Sequence, residues 1–280
     1  MVDSSKQIAK ESKSSFYYAF SLLSPEKRDA MNTVYAFCRK TDDIVDEGFE
    51  TDEVKYEKLR KWRIEFEKAI YGRSDYQLLN KVAAIIKQFN IPLEHFFELI
   101  VGMEMDLQHK RYFSFEDLIE YCYRVASTVG LMCIEIFGYK NKSTRDYAIN
   151  LGLAMQLTNI IRDVGKDSEF GRIYIPQQDL KLFNYSEKEL LEKKYNFNFR
   201  ELMAYEAERA KNYFEKADQS LDFEDKPSMF PARAMQHIYS KLLHKIEKSD
   251  YDVLNNKIKV SKVEKVAISV GVWAKYSLVY

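Results

Sequence analysis

Two aspartate clusters stand about 120 residues apart, each spaced for one face of a helix. The first is Arg39-Lys40-Thr41-Asp42-Asp43-Ile44-Val45-Asp46. The second runs Gln156-Leu157-Thr158-Asn159-Ile160-Ile161-Arg162-Asp163-Val164-Gly165-Lys166-Asp167. Four helical residues turn the chain through about 400°, so Asp42 and Asp46 overlay to within roughly 40°, one turn apart. Asn159, Asp163 and Asp167 repeat that spacing, and Gln156 extends the stripe by a further turn. Carboxylates and a carboxamide, without His or Cys at matching spacing, select Mg²⁺, or Mn²⁺ in its place, over zinc. An ion held by few protein ligands keeps positions open for phosphate oxygens. Arg39 and Arg162 suit an anion that binds the metals and is gripped by guanidinium groups. Intrahelical ion pairs would put arginines there as well.

An Asp-x-x-x-Asp pair is weak on its own, since about one is expected by chance in a chain of this length. Most carboxylates at that spacing belong to a solvated face. Context separates these two from that background. Asp163 follows Tyr147 to Ile161, 15 residues without a charge, and Asp42 follows the nearly apolar Met31-Asn32-Thr33-Val34-Tyr35-Ala36-Phe37-Cys38. Carboxylates embedded in buried sequence are costly unless they bind something.

Helices must carry both clusters, and helical periodicity runs through the chain. Ser24-Pro25-Glu26 reads as a helix start, with Ser24 as N-cap, and its helix carries the first cluster to a stop at Gly48. Glu53 to Tyr71, Tyr76 to Phe89 and Leu93 to Leu107 are further helices, punctuated by Gly72, Asn90 and Pro92. Ser114 caps a helix running through Tyr121-Cys122-Tyr123-Arg124-Val125-Ala126, and Ser143 opens the helix of the second cluster. Ser168 to Pro176 is a loop by its glycine and proline, and helices resume at Ser186, Phe199 to Leu221 and Ser228 to Lys248. With no repeat and no composition break, one all-α domain is expected over residues 1–280.

The bulk numbers exclude several function classes. Lys and Arg total 43, as do Asp and Glu, which argues against a nucleic-acid partner. Cys38, Cys122 and Cys133 form neither a disulfide framework nor a metal pattern and read as buried thiols in a reducing compartment. Met1 to Lys13 does not read as a signal peptide, and no apolar run approaches the ~20 residues of a membrane span, so a cytoplasmic protein is expected. From Asn256 to Tyr280, valines and isoleucines alternate with Lys257, Lys259, Lys262, Lys265 and Lys275. That segment is either a terminal helix packed on the domain or a basic, apolar face for peripheral contact with a membrane. The 20 Tyr and 18 Phe make either a dense core or an aromatic-walled pocket. Diphosphate, metals and such a pocket together point to ionisation of an allylic diphosphate, with aromatic faces beside the carbocation.

The motifs also resemble the squalene/phytoene synthase family of head-to-head prenyl synthases, over nearly the whole chain. The likeness lies in Tyr35-Ala36-Phe37-Cys38-Arg39 leading into Asp42 to Asp46, in Tyr121 to Gly130, in Leu151-Gly152 through Gln156 to Asp163, and in Gly171-Arg172-Ile173-Tyr174-Ile175-Pro176. It implies an all-α isoprenoid-synthase helical bundle around a central cavity. It implies that Asp42 and Asp46 bind Mg²⁺ from one wall, and Asn159 and Asp163 from the other, with Asp167 beside them. Tyr35, Arg39, Gln156 and Tyr239 would meet diphosphate or the reacting carbons, with Arg162 and Arg172 also on the substrate, while Ser12, Lys13, Ser14 and Ser15 would reach the diphosphate from the first helix. Tyr121, Val125, Val129 and Phe20 would line the prenyl tails. Lys166 stands where many relatives have an acid, which puts a metal role for that position in doubt.

Within the family, Gly102 to Leu107, Glu135 to Tyr139 and Leu59 to Arg63 are similar to bacterial presqualene diphosphate synthases of hopanoid pathways. The activity this implies is Mg²⁺-dependent condensation of two farnesyl diphosphates, without NADPH in the first step. The base would be released diphosphate or a tyrosine. Phytoene synthase, using two geranylgeranyl diphosphates, and dehydrosqualene synthase are the alternatives. A non-catalytic helical partner that binds prenyl lipids is the reading from a different class, and degraded aspartates would be its mark.

Overall fold

The structure, a computed structural model, describes residues 19–46, 50–108 and 111–278. Its first complete described helix, α1 (Pro25–Asp46), begins as the sequence predicts: the Ser24 carbonyl accepts from Arg28 N at 2.9 Å, and Pro25 takes the first position, where no N–H is needed. The back of α1 is held by a cluster of rings. Phe37 packs on Trp62, Phe66 and Phe96 with centroids 5.8, 5.1 and 5.2 Å away, and Trp62 Nε1 donates to Thr41 Oγ1 at 3.0 Å. Those partners come from α2 (Asp52–Ile70) and α4 (Glu94–Leu107), while α3 (Gln77–Phe89) packs between α1 and α2. The buried Lys55 ammonium of α2 donates to the Val45 carbonyl at 2.6 Å and closes the C-terminal end of α1. With its back fixed in this way, α1 turns Tyr35, Cys38 and Asp42 to the opposite side.

Ser114 forms the expected capping box with Asp117 and starts α5 (Phe115–Cys122). The expected unbroken helix through Ala126 is interrupted. Tyr123–Ser127 is a π turn, and α6 (Thr128–Phe137) follows it. The cause is close packing. A Cβ on Gly152 would lie 2.6 Å from the Ser127 Cα, and one on Gly102 would lie 2.6 Å from Val125 Cγ1. The two neighbouring helices therefore press their bare backbones against the widened turn. Ser127 Oγ donates to the Ile149 carbonyl at 2.8 Å, which pins it.

The longest helix, α7 (Ser143–Glu169), is central and packs on α6, the π turn, α10 (Phe197–Ser220) and α11 (Phe230–Lys248). Its start is clamped by Asp225, whose buried carboxylate accepts from Lys140 N, Asn141 N and Thr144 Oγ1 at 2.8, 2.9 and 2.7 Å. The helix runs to Glu169, so the loop starts at Phe170 instead of Ser168, and buried Ser168 donates to the Gly165 carbonyl at 2.9 Å. Short α8 (Gln177–Leu182) and α9 (Glu187–Leu191) precede α10, which Asn196 caps, and α11 begins two residues after Ser228. The terminal helix α12 (Lys262–Leu278) packs on α11. No strand occurs among the described residues, and the fold is the all-α bundle expected. The buried apolar residues form one continuous cluster from Ala19 to Tyr276.

Candidate active site

A cavity of ≈320 Å³ lies between α1, the π turn, α6, α7 and α11. Its walls are apolar: Met31, Val34, Val125, Val129, Leu151 and Met155 among them. Phe20 and Phe137, with ring centroids 6.4 Å apart, stand at one end. At the other end are Tyr35, Asp42, Gln156, Asn159 and Tyr239. Asp42 of the first stripe and Gln156 and Asn159 of the second thus line one cavity from different helices. The π turn matters here because its extra residue shifts the face that follows. Val125 and Val129 line the cavity while Tyr121 does not.

Arg39, Asp46, Arg162, Asp163, Asp167 and Arg172 do not line this cavity, and neither does Tyr121. Tyr121 is 3% exposed, its hydroxyl donates to Asp106 Oδ2 at 3.0 Å, and its ring stacks on Tyr174 at 5.2 Å. Ser12, Lys13, Ser14 and Ser15 lie outside the described residues.

Above the cavity, arginines hold the aspartates. Arg39 pairs with Asp42 at 3.2 Å and with Asp43 at 2.7 Å. Arg162 Nε donates to Asp163 Oδ1 at 2.8 Å, and Arg172, from the loop after α7, reaches Asp46 at 2.6 Å. That last pair ties the end of the first stripe to the element that follows the second. Asp167 in turn feels the charges of Asp163, Arg172 and Asp46. Tyr239 brings its hydroxyl within hydrogen-bond reach of Asn159 and Arg162.

The electrostatics are those of a cation site bordered by an anion site. Burial, then the Asp46 charge, pushes the Asp42 carboxyl up to about 7, against the pull of Arg39. Burial, then Asp163, likewise pushes Asp167 up to about 7. Burial works against the charges of Arg162 and Arg172, but their carboxylate partners more than offset it, and both are raised.

Asp106 was not singled out as a site residue, and it belongs here. It sits on α4, half-buried, and accepts from Tyr121 and Tyr174 at 3.0 and 2.8 Å. Burial pushes it up to about 6 despite those donors, and Arg172 and Asp46 are in its field. The stretch Gly102 to Leu107 holds two acids, Glu104 and Asp106, and spacing does not single out the second. Lys166 is exposed and lines a second cavity of ≈460 Å³ beyond Tyr239, together with Lys257, Lys259 and Lys265.

The donor set fits a hard divalent cation. Every candidate ligand offers oxygen, and buried Asn159 Oδ1 has no hydrogen-bond donor. Asp42 and Asp167 are raised first by burial and then by the charges of Asp46 and Asp163, both of which a bound cation would offset. Among the described residues no three His, Cys, Asp or Glu side chains converge into a ready-made metal cluster. A Mg²⁺ held by one or two carboxylates and substrate phosphate oxygens does not require one.

Over residues 9–264 the sequence matches the squalene/phytoene synthase family. The chain belongs to that family. As a squalene/phytoene synthase it is a prenyltransferase, and its relatives share that architecture. It is 35% identical to 15-cis-phytoene synthase of Synechococcus elongatus over 254 residues, 86% of this chain and 82% of that one. It is 34% identical to the chloroplastic phytoene synthase 1 of Arabidopsis thaliana over 275 residues, 96% of this chain but 65% of the plant protein's length. A dehydrosqualene synthase crystallised with a ligand superimposes with a TM-score of 0.86 at 31% identity, covering 99% of this chain and 96% of the other. A squalene synthase from Alicyclobacillus acidocaldarius shares the fold, with a TM-score of 0.78 at 24% identity over 89% and 95% of the two chains. The family expectation drawn from the motifs therefore holds. The relatives' names favour phytoene synthase, an alternative in the sequence reading, over presqualene diphosphate synthase.

Proposed function

We propose that this protein condenses two C20 prenyl diphosphates head to head and carries the product on to phytoene. The observation that carries this reading is the depth of the cavity. Met31 and Asp42 on α1 are eleven residues apart, and Tyr147 and Asn159 on α7 are twelve, so the walls run about 16–18 Å from blind end to aspartates. Three backbone bonds span at most ~3.5 Å, so an extended C20 tail, sixteen carbons in its main chain, measures roughly 18 Å and a C15 tail roughly 13 Å. The longer tail uses the full depth.

Asp42, Asp46, Asn159, Asp163 and Asp167 are the residues that would hold divalent ions. When bound, such ions supply the charge that neutralises a departing diphosphate. Arg39, Arg162 and Arg172 release their aspartates and face the diphosphate oxygens, a bidentate match for guanidinium. The C1–O bond of one substrate breaks, and the diphosphate leaves with the electron pair. The C2=C3 bond of the second substrate attacks that carbon, and loss of a proton closes a cyclopropane. The second diphosphate then departs, the ring opens with rearrangement, and a second proton is lost. No hydride enters, so no nicotinamide is needed. Met155, Val125 and Val129 keep water from the cations, and the face of Tyr35 offers them π density.

The C15 reading, toward presqualene diphosphate or dehydrosqualene, is favoured by one observation: Phe20 over Phe137 narrows the blind end. Purified protein with Mg²⁺ and either geranylgeranyl or farnesyl diphosphate, without NADPH, decides between them by product mass. A C40 hydrocarbon from the C20 substrate is expected. A C30 product from the C15 substrate alone would overturn the chain length, and no condensation with either would overturn the activity.

A further inference from the structure

Among the described residues nothing covers the outer, apolar face of α12. Ser269, Val272 and Tyr276 point inward and are 2, 8 and 6% exposed, whereas Val263, Val266 and Val270 are 78, 43 and 45% exposed. At 100° per residue, Trp273, Val266, Val270, Val263, Ala274, Ala267 and Gly271 fill an arc of about 160° that holds no charged residue. A Cβ on Gly271 would meet nothing within 4 Å.

Basic residues frame this arc. Lys262 lies at one edge, Lys275 lies at the other beyond Glu264, and the approach to the helix carries Lys257 and Lys259. Among the described residues none of these four, nor Lys265, has a carboxylate within ion-pair distance. The single acid of the segment, Glu264, is taken by Lys241 and Lys245 of α11 at 3.1 and 2.8 Å. Lys265 faces the packed side, between Val272 and Tyr276, but four uncompensated lysines in nineteen residues still contrast with a chain whose charges cancel overall. A second copy is a poor occupant, because a two-fold contact on this face would set the same lysines against each other. Nor does α12 span a bilayer: its 17 residues reach only about 25 Å, and among the described residues no helix is long and apolar enough to cross one.

We propose that α12 and the lysine segment before it seat the protein on an anionic lipid surface, valines in the acyl boundary and lysines at the headgroups. An apolar stripe framed by lysines is the signature of an interfacial helix. The basic ≈460 Å³ cavity, walled by Lys257, Lys259 and Lys265, shares Arg162, Asp163 and Tyr239 with the catalytic end.

The test is sedimentation of the purified full chain with vesicles of phosphatidylcholine alone or mixed with phosphatidylglycerol. Binding is expected to the mixed vesicles, to weaken with salt, and to fall about fivefold for each lysine neutralised in Lys259→Gln and Lys262→Gln. The V263S/V266S/V270S variant should bind roughly tenfold more weakly. Wild-type protein left in the supernatant, equal binding to neutral vesicles, or wild-type binding by both sets of variants would overturn the proposal. So would sedimentation velocity showing a wild-type dimer that the valine variant splits, which would assign the face to a second copy. Turnover of detergent-dispersed substrate by the valine variant should be unchanged. Absence of turnover in the wild type would count against the proposed activity, not against lipid docking.

Discussion

Asp42, Asp46 and Asp163 each pair with an arginine of their own chain. A guanidinium that neutralises a carboxylate before metal and substrate arrive can turn to diphosphate oxygens once they do. Arg172 is the sharpest test, because its loop joins the two stripes through Asp46 at 2.6 Å. Arg172→Ala is expected to lower kcat/KM about 10²-fold or more while leaving the far-ultraviolet circular dichroism unchanged, since it removes charge stabilisation and no core packing. Steady-state kinetics within threefold of wild type would rule out that role. The aspartates were legible in the sequence because charge inside apolar helix is conspicuous. Their division of labour was not: Arg39 pairs with both Asp42 and Asp43, yet only Asp42 lines the cavity, a difference of 100° that spacing alone leaves open. Asp106 escaped notice for a different reason. Its partners Tyr121 and Tyr174 lie 15 and 68 residues away, and only the tertiary fold makes them a set.

Helices and their faces followed from periodicity, capping boxes and glycine stops, yet the π turn at Tyr123–Ser127 did not. Local sequence there reads as ordinary helix, and the turn is imposed by Gly102 and Gly152 from other helices. Gly152→Ala would set a methyl 2.6 Å from the Ser127 Cα and 2.7 Å from its N, backbone atoms that cannot swing aside. A destabilisation of about 2–3 kcal/mol is expected in urea unfolding, with lost activity, because Val125 would be displaced from the cavity. An unchanged midpoint would show that the turn relaxes freely. A second element-level device joins α8 to α10. Arg209 binds Asp179 and Glu206, both nearly inaccessible, and its guanidinium lies 3.9 Å from the Phe115 ring centroid. One cation cannot compensate two buried carboxylates, and burial, with the Asp179 charge, pushes Glu206 up to about 8. The folded protein then holds a proton that the unfolded chain, with its ordinary value of 4.5, has released. Stability attached to this proton is complete below 4.5 and is lost as pH rises to about 8. Glu206→Gln has no proton to lose, so its urea midpoint should gain on wild type between pH 5 and pH 9. Parallel curves would place the proton elsewhere.

At the scale of the whole molecule, sequence pattern tells which faces are apolar but not which apolar side chains face a void. Met155 and Leu157 lie two positions apart on α7, and only the first lines the cavity. The cavity's depth was therefore illegible, and with it the substrate's chain length. In the structure Phe20 packs against Phe137 at the end of the cavity away from Asp42, where the tails of the proposed substrate would end. Phe20 is 4% exposed, so Phe20→Ala forfeits about 3–5 kcal/mol of packing if the space stays empty. Phe20→Leu is the milder companion. Either change lengthens the cavity without touching the diphosphate end, so the rate with the native chain length should fall less than selectivity against longer chains does. The expected result is a rise of about tenfold or more in the kcat/KM of a C25 diphosphate relative to the C20 one, since each methylene group fitted or excluded in an apolar pocket is worth at least that. Competition between the two substrates, with products separated by mass, measures the ratio directly. A folded Phe20→Leu enzyme with the wild-type ratio would mean that the blind end does not measure the chain, and that length is instead read along the walls of α1 and α7.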